Sequence, residues 1–190
     1  LAYYSLGVML LEHGELDAAL EALRQAIAQC ELFPLAYYSL GNVFLAQGRI
    51  EEAISAYRTA IEQSGGRFPE ALWNLGNAYV RQGDIARAIE AYRQAMEQTG
   101  GRDPALHHNL GLVLLQAGEW EQAEASFRKA LELHPNDPEA HYYLGVLALG
   151  RGQLEEALRE LRQALEQKSG PFPEAHFDLG KALYEKGEYA

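Results

Sequence analysis

The dipeptide Leu-Gly returns along the chain with its glycine at Gly7, Gly41, Gly76, Gly111, Gly145 and Gly180, in steps of 34, 35, 35, 34 and 35 residues. A second glycine follows each by seven residues, at Gly14, Gly48, Gly83, Gly118, Gly152 and Gly187. Alanine stands five residues further on at Ala19, Ala53, Ala88, Ala123 and Ala157, and again seven later at Ala26, Ala60, Ala95, Ala130 and Ala164. Four positions held in register this way mean one supersecondary unit copied along the chain. No single copy is large enough to bury a core of its own.

Within each period the apolar pattern is helical twice. In the third copy Ala71, Leu75, Ala78 and Tyr79 fall on one face of a first helix, and Gly83 breaks it. Ile85, Ala88, Ile89, Tyr92, Ala95 and Met96 then mark the stripe of a second helix. Pro34, Pro69, Pro104, Pro138 and Pro173 each open a copy, where a missing N–H is harmless in the first helical turn. The clusters "SGGRFP" and "TGGRDP" close second helices with left-handed caps. No stretch reads as a strand, so the expected class is all-α, built of antiparallel helix pairs. Gly76 in "LWNLGNAY" sits inside a helix, where glycine costs about 1 kcal/mol against alanine. The expectation is that Gly76 faces Ala88 and lets two backbones approach.

Composition narrows the function. With 48% apolar residues a core can be filled, which excludes a disordered chain. Sixteen basic against 27 acidic residues give a net charge of −11. The positive footprint needed for nucleic acid or for an anionic membrane surface is missing. Cys30 stands alone, so neither an internal disulfide nor a cysteine zinc site can form. It reads as a small, partly buried hydrophobe in a reducing compartment, and a cytoplasmic location is expected. The apolar run "YYLGVLALG" is too short to span a bilayer. The chain starts at Leu1 without Met, which reads as a piece of something longer.

Helix-turn-helix copies of this length, with small residues at these positions, resemble the tetratricopeptide repeat (TPR) family. The third copy, "PEALWNLGNAYVRQGDIARAIEAYRQAMEQTGGRD", carries the pattern most fully. The resemblance spans residues 1–190 as a single array of about five and a half repeats. The repeats are 1–33 (clipped at its start), 34–68, 69–103, 104–137, 138–172, and 173–190, which holds only a first helix and turn. The proline that the family places near the end of the second helix survives only as Pro135. The resemblance implies a right-handed superhelical solenoid whose first helices line a concave groove.

Carrying the family's groove positions onto this chain gives Tyr4, Tyr38, Trp73, His108, Tyr142 and Phe177 at one site. A second site reads Ser5, Ser39, Asn74, Asn109, Tyr143 and Asp178, and a third reads Val8, Asn42, Asn77, Leu112, Val146 and Lys181. The expected partner-binding residues are Tyr38, Asn42, Trp73, Asn74, Asn77, His108, Asn109, Tyr142 and Tyr143. Amides can bond the backbone of an extended chain, and rings offer broad, rigid contact. The resemblance thus implies a protein-interaction scaffold that takes a partner peptide, extended or as an amphipathic helix. TPR domains that clamp a C-terminal carboxylate use lysines and an arginine among asparagines. The matching positions Tyr38, Asn42, Asn74, Ala105 and Asn109 hold no cation, so that subtype is rejected.

Catalytic and metal chemistry find no pattern, and the chain is expected to be non-enzymatic, with no cofactor. His107, His141 and His176 recur at one repeat position, where the first two repeats have Tyr3 and Tyr37. Stacked helices separate such residues by about 10 Å per step, whereas zinc needs nitrogens about 2.0–2.1 Å away. They are expected to replace tyrosine in packing between repeats. Pairs such as Glu124 with Arg128 and Glu155 with Arg159 read as a solvated face. Two alternatives stay open. The apolar end "ALYEKGEYA" could stack on another copy of the chain, making a homo-oligomer. Or the array could be the substrate-presenting arm of a larger enzyme, since some glycosyltransferases use an asparagine ladder at the position of Asn74 and Asn109.

Overall fold

A computed structural model describes residues 1–30 and 32–188. The described residues form eleven helices and no strand: α1 (Ala2–Glu12), α2 (Leu16–Gln29), α3 (Pro34–Ala46), α4 (Ile50–Gln63), α5 (Pro69–Gln82), α6 (Ile85–Thr99), α7 (Pro104–Ala117), α8 (Trp120–Leu133), α9 (Pro138–Gly150), α10 (Leu154–Gln167) and α11 (Pro173–Lys186). The all-α class read from the periodicity holds. Two compact units divide the chain, Leu1–Gly100 and Gly101–Ala190.

In the first unit α1 packs on α2, α3 on α4 and α5 on α6, while α2 meets α3 and α4 meets α5. The hairpins therefore stack in chain order, and the first helices α1, α3 and α5 touch one another in sequence. In the second unit α7 pairs with α8 and α9 with α10. There α8 meets α9, α10 meets α11, and α9 also touches α11.

Local chemistry sets the helix ends. Proline occupies the first turn of α3, α5, α7, α9 and α11. Gly83 ends α5 at φ +85°, a backbone conformation that a side chain disfavours. It allows the Asp84 N–H to close back on the Tyr79 carbonyl at 2.9 Å. The Asp84 carboxylate then accepts from Arg87 N at 3.1 Å and caps α6.

The repeating alanines Ala19, Ala53, Ala88, Ala123 and Ala157 are fully buried. The repeating Leu-Gly glycine works differently from the expectation that it faces Ala88. A Cβ placed on Gly76 would lie 2.6 Å from the Tyr92 ring, and that ring supplies its nearest neighbours. The same holds sixteen residues on in every complete hairpin. Gly7 faces Leu23, Gly41 faces Tyr57, Gly111 faces Phe127 and Gly145 faces Leu161, all with side-chain carbons at 2.5 to 2.7 Å. The glycine is a socket for a large side chain of the second helix. Sterically, the position one turn beyond the alanine is the one that reaches across.

Two further expectations are corrected. Cys30 is exposed just past the end of α2, outside the core. Glu155 pairs with Lys186 at 2.9 Å, and Arg159 reaches Glu160 at 2.9 Å and Glu156 at 3.5 Å instead. The expected pair of Arg128 with Glu124 does form. In the terminal stretch read as an uncovered apolar face, Tyr184 is exposed, while Tyr189 and Ala190 lie outside the described residues. No helix among the described residues is long and apolar enough to cross a membrane.

Gly180 has no neighbour within 4 Å of its Cβ position, which sets up an internal control. Gly76→Leu should destabilise by about 1–3 kcal/mol or more through overpacking. Gly180→Ala should instead be neutral or stabilising by up to about 1 kcal/mol from helix propensity. Urea midpoints of the two variants check this, and equal shifts would contradict the socket.

Candidate functional site

In the first unit, Tyr38 and Asn42 project from α3, and Trp73, Asn74 and Asn77 from α5; all five are half-buried. The amides are wired together. Asn74 Nδ2 donates to Asn42 Oδ1 at 2.9 Å and to the Tyr38 hydroxyl at 3.2 Å. Asn77 Nδ2 reaches Asn74 Oδ1 at 3.4 Å. Two tyrosines of the second helices hold the ends. Tyr57 Oη donates to Asn42 Oδ1 at 2.7 Å, and Tyr92 Oη donates to Asn77 Oδ1 at 2.6 Å.

These tyrosines are the socket-filling side chains, 0% and 2% exposed. A phenol buried that deeply needs a partner for its hydroxyl. Burial pushes the Tyr57 hydroxyl well above the usual phenol range, with Tyr38 raising it further and Arg81 opposing. Burial also raises Tyr92 to about 12. Both hydroxyls stay protonated and act as donors. The copies of the repeat bear this out among themselves. Asparagine stands at positions 42 and 77, where the socket filler is Tyr57 or Tyr92. Where the filler is Leu23, Phe127 or Leu161, the matching residue is Val8, Leu112 or Val146. Repeats taken one at a time do not mark Tyr57 and Tyr92 as parts of this face, though the correlated alternation does.

The Tyr4 and Tyr38 rings wedge against the residue preceding the next first helix. Tyr4 lies 5.0 Å from Phe33, and Tyr38 lies 5.1 Å from Phe68. Trp73 keeps a buried indole Nε1 with no acceptor among the described residues.

The second unit treats the same positions differently. His108 on α7 donates from Nδ1 to Asp137 Oδ2 at 2.7 Å, with both side chains under a fifth exposed. Asp137 also accepts from Ala140 N at 3.0 Å as the cap of α9. Tyr142 repeats the aromatic wedge on Phe172 at 5.0 Å and donates to Asp178 Oδ2 at 3.1 Å. Burial first, and then the Asp178 contact, push its hydroxyl up to about 12. Tyr143 stacks on Phe127, with centroids 5.3 Å apart and planes 14° from parallel. Asn109 is half-buried and makes no hydrogen bond among the described residues. The histidines expected to pack between repeats are all hydrogen-bonded, two of them to a residue of the preceding repeat. His107 bonds to the Gly101 carbonyl at 2.9 Å and His176 to the Phe172 carbonyl at 2.9 Å. His141 bonds to Glu160 of its own repeat at 2.7 Å.

A profile described as tetratricopeptide repeat matches residues 38–103, 108–170 and 147–190, and a second, described as TPR repeat, matches residues 7–48. The chain belongs to the tetratricopeptide repeat family. Among solved structures, PilF of Pseudomonas aeruginosa aligns at a TM-score of 0.84 and 24% identity, over 98% of this chain and 85% of that one. YrrB, described as a TPR protein with an unusual peptide-binding site, aligns at 0.76 and 24%, over 97% and 90%. A thermophilic TPR protein of Thermus thermophilus, TTC0263, aligns at 0.64 and 29%, over 96% and 98%. No curated protein sequence is a significant match. The TPR fold serves in general as a protein–protein interaction scaffold.

Two carboxylates of the TPR second unit tie its stability to pH. Burial works against the charged forms of Asp137 and Glu160, but histidine and further hydrogen bonds outweigh it. His108 and Ala140 N–H do this for Asp137, and His141 and Arg159 for Glu160, so both stay below the usual carboxylate range. The stabilisation is therefore complete above the ordinary carboxylate pKa of about 4 and is lost as pH falls through the lowered values. The double variant Asp137→Asn, Glu160→Gln should be less stable at neutral pH. Its thermal midpoint should also fall less steeply below about pH 4, as melts followed by circular dichroism would report.

Proposed function

We propose that this TPR chain is a binding module that holds a peptide segment of a partner protein against the faces formed by its first helices, with Tyr38, Asn42, Trp73, Asn74 and Asn77 contributing in the first unit and His108, Asn109, Tyr142 and Tyr143 in the second. The observation that carries this reading is the half-buried row of amides and rings with unused hydrogen-bonding capacity, above all Asn109. Side chains serving only the core would be closed off and fully paired. The peptide-binding site named for YrrB lends support at the level of fold. The net charge of −11 argues for a protein partner over nucleic acid or an anionic membrane, and we read the array as non-catalytic.

Asn109→Ala removes an amide that holds nothing else, and Trp73→Ala removes the largest ring. Both should reduce capture of the partner from native lysate by roughly tenfold or more while leaving the helical circular-dichroism signal unchanged. Arg58→Glu on the outer surface of α4 serves as the control. Loss of capture with that control, and not with the other two, would defeat the reading.

Self-association is the second reading, favoured by exposed apolar groups on α11 and α1. Phe177 and Tyr184 are 74% and 68% exposed, Gly180 faces open space, and Tyr3, Leu6 and Met9 are exposed on α1. It requires a sedimentation coefficient that rises with concentration and stops rising in Phe177→Ser, Tyr184→Ser.

A further inference from the structure

We infer that a pocket between the start of α8 and the end of α9, within the second unit, takes an arginine side chain from a protein partner. It uses neither the amides nor the rings of the first-helix faces, and it stands or falls separately from the peptide-binding reading above.

The five socket glycines admit a side chain of the partner helix, but Gly150, in the last turn of α9, does not. A Cβ there would meet nothing within 4 Å, and its φ is not positive. Neither close packing nor backbone conformation calls for glycine, which lowers helix stability. Other copies carry a side chain at this position, Ala46, Arg81 and Gln116. The missing side chain leaves space beside Trp120. That position is Leu16, Ile50, Ile85 and Leu154 in the other copies, whereas the larger indole is 52% exposed. Trp120, Val146, Leu147 and Gly150 line a pocket of about 450 Å³, and Glu121 and Arg151 complete it. An apolar hollow with a few charged groups at its edge is the usual build of a ligand site.

The charges select the occupant. At two other junctions the residue matching Glu121 is held by the residue matching Arg151. Gln47 Nε2 donates to Asp17 Oδ1 at 2.8 Å, and Lys186 Nζ lies 2.9 Å from Glu155. Arg151 instead bonds Glu124 and stays 3.8 Å from Glu121. Its guanidinium is thus occupied, while the Glu121 carboxylate, 84% exposed, keeps lone pairs for an outside cation. An anion would meet Glu121 and find Arg151 already paired. A guanidinium can stack on the indole face and fork onto a carboxylate. Its aliphatic stem suits the Val146 and Leu147 side chains. A lysine ammonium offers neither the plane nor the fork.

Acetyl-arginine amide, acetyl-lysine amide and acetyl-leucine amide are titrated into the whole chain. Binding is followed through the Trp120 indole N–H and the Val146 methyl signals in ¹⁵N and ¹³C spectra, with the other indole, Trp73, as internal control. Arginine should shift Trp120 and Val146 and leave Trp73 unmoved. At low salt it should bind roughly fivefold or more tightly than the other two probes. Glu121→Gln should remove that preference. Gly150→Gln, which restores the side chain that Gln116 carries, should abolish binding. Trp120→Leu, which copies Leu154, should weaken it as read by the Val146 methyls. Both substitutions borrow a residue the repeat already tolerates, and thermal melts check that each variant stays a cooperative helical protein. Equal binding of leucine or lysine, an arginine affinity indifferent to Glu121→Gln, or binding that survives Gly150→Gln overturns the inference. So does the absence of any shift at high millimolar concentration. None of these outcomes bears on partner capture by Asn109 and Trp73, which tests the peptide-binding reading by itself.

Discussion

In five successive hairpins a helix surface is stripped to bare backbone so that a ring or an isobutyl group from the partner helix can enter it. Gly7, Gly41, Gly76, Gly111 and Gly145 each leave less than 3 Å between a would-be Cβ and the residue sixteen positions on. A helix-interior glycine lowers intrinsic helix stability by about 1 kcal/mol. Burying a whole Tyr, Phe or Leu side chain returns about 1.5–3 kcal/mol relative to its exposure. The exchange favours the socket, and it fixes how each helix pair registers. The buried alanines Ala53, Ala88 and Ala123 flank this contact and keep the pair close, but they do not fill the socket.

The socket also shapes the first-helix face. When the filler is tyrosine, its hydroxyl emerges at the first-helix surface and must be satisfied there. Asn42 and Asn77 do this, and Asn42 Oδ1, which also accepts from Asn74, has both lone pairs used. When the filler is phenylalanine or leucine, an aliphatic residue takes the asparagine's place. A core residue thus dictates the hydrogen-bonding polarity of a surface residue fifteen positions earlier. The aromatic wedge follows a similar rule. Tyr4, Tyr38 and Tyr142 rest on Phe33, Phe68 and Phe172, whereas His108 faces Asp137, so a ring contact is exchanged for a charged hydrogen bond at equivalent points.

The fold class, the helix boundaries set by proline and glycine, and the family are all legible in the residues. Each is a local property or a repeated one, and repetition makes weak local signals add. Individual side-chain partners are not legible in the same way. Residue size alone places Ala88 opposite Gly76, yet the Tyr92 ring lies there. Helical spacing pairs Glu155 along α10 with Arg159, yet it pairs with Lys186 of the next helix. In both cases spacing along one helix, or an assumed crossing point, is outweighed by a side chain arriving from elsewhere.

The periodicity alone determined that this chain forms helix pairs with their small residues at the crossings, because steric exclusion at a helix contact acts on residue size and needs no coordinates to be read. The tertiary structure decided which side chain enters each socket and which amide oxygens are consumed. These depend on distances of a few tenths of an ångström between residues far apart in sequence, and hydrogen-bond direction is settled only when both partners are in place.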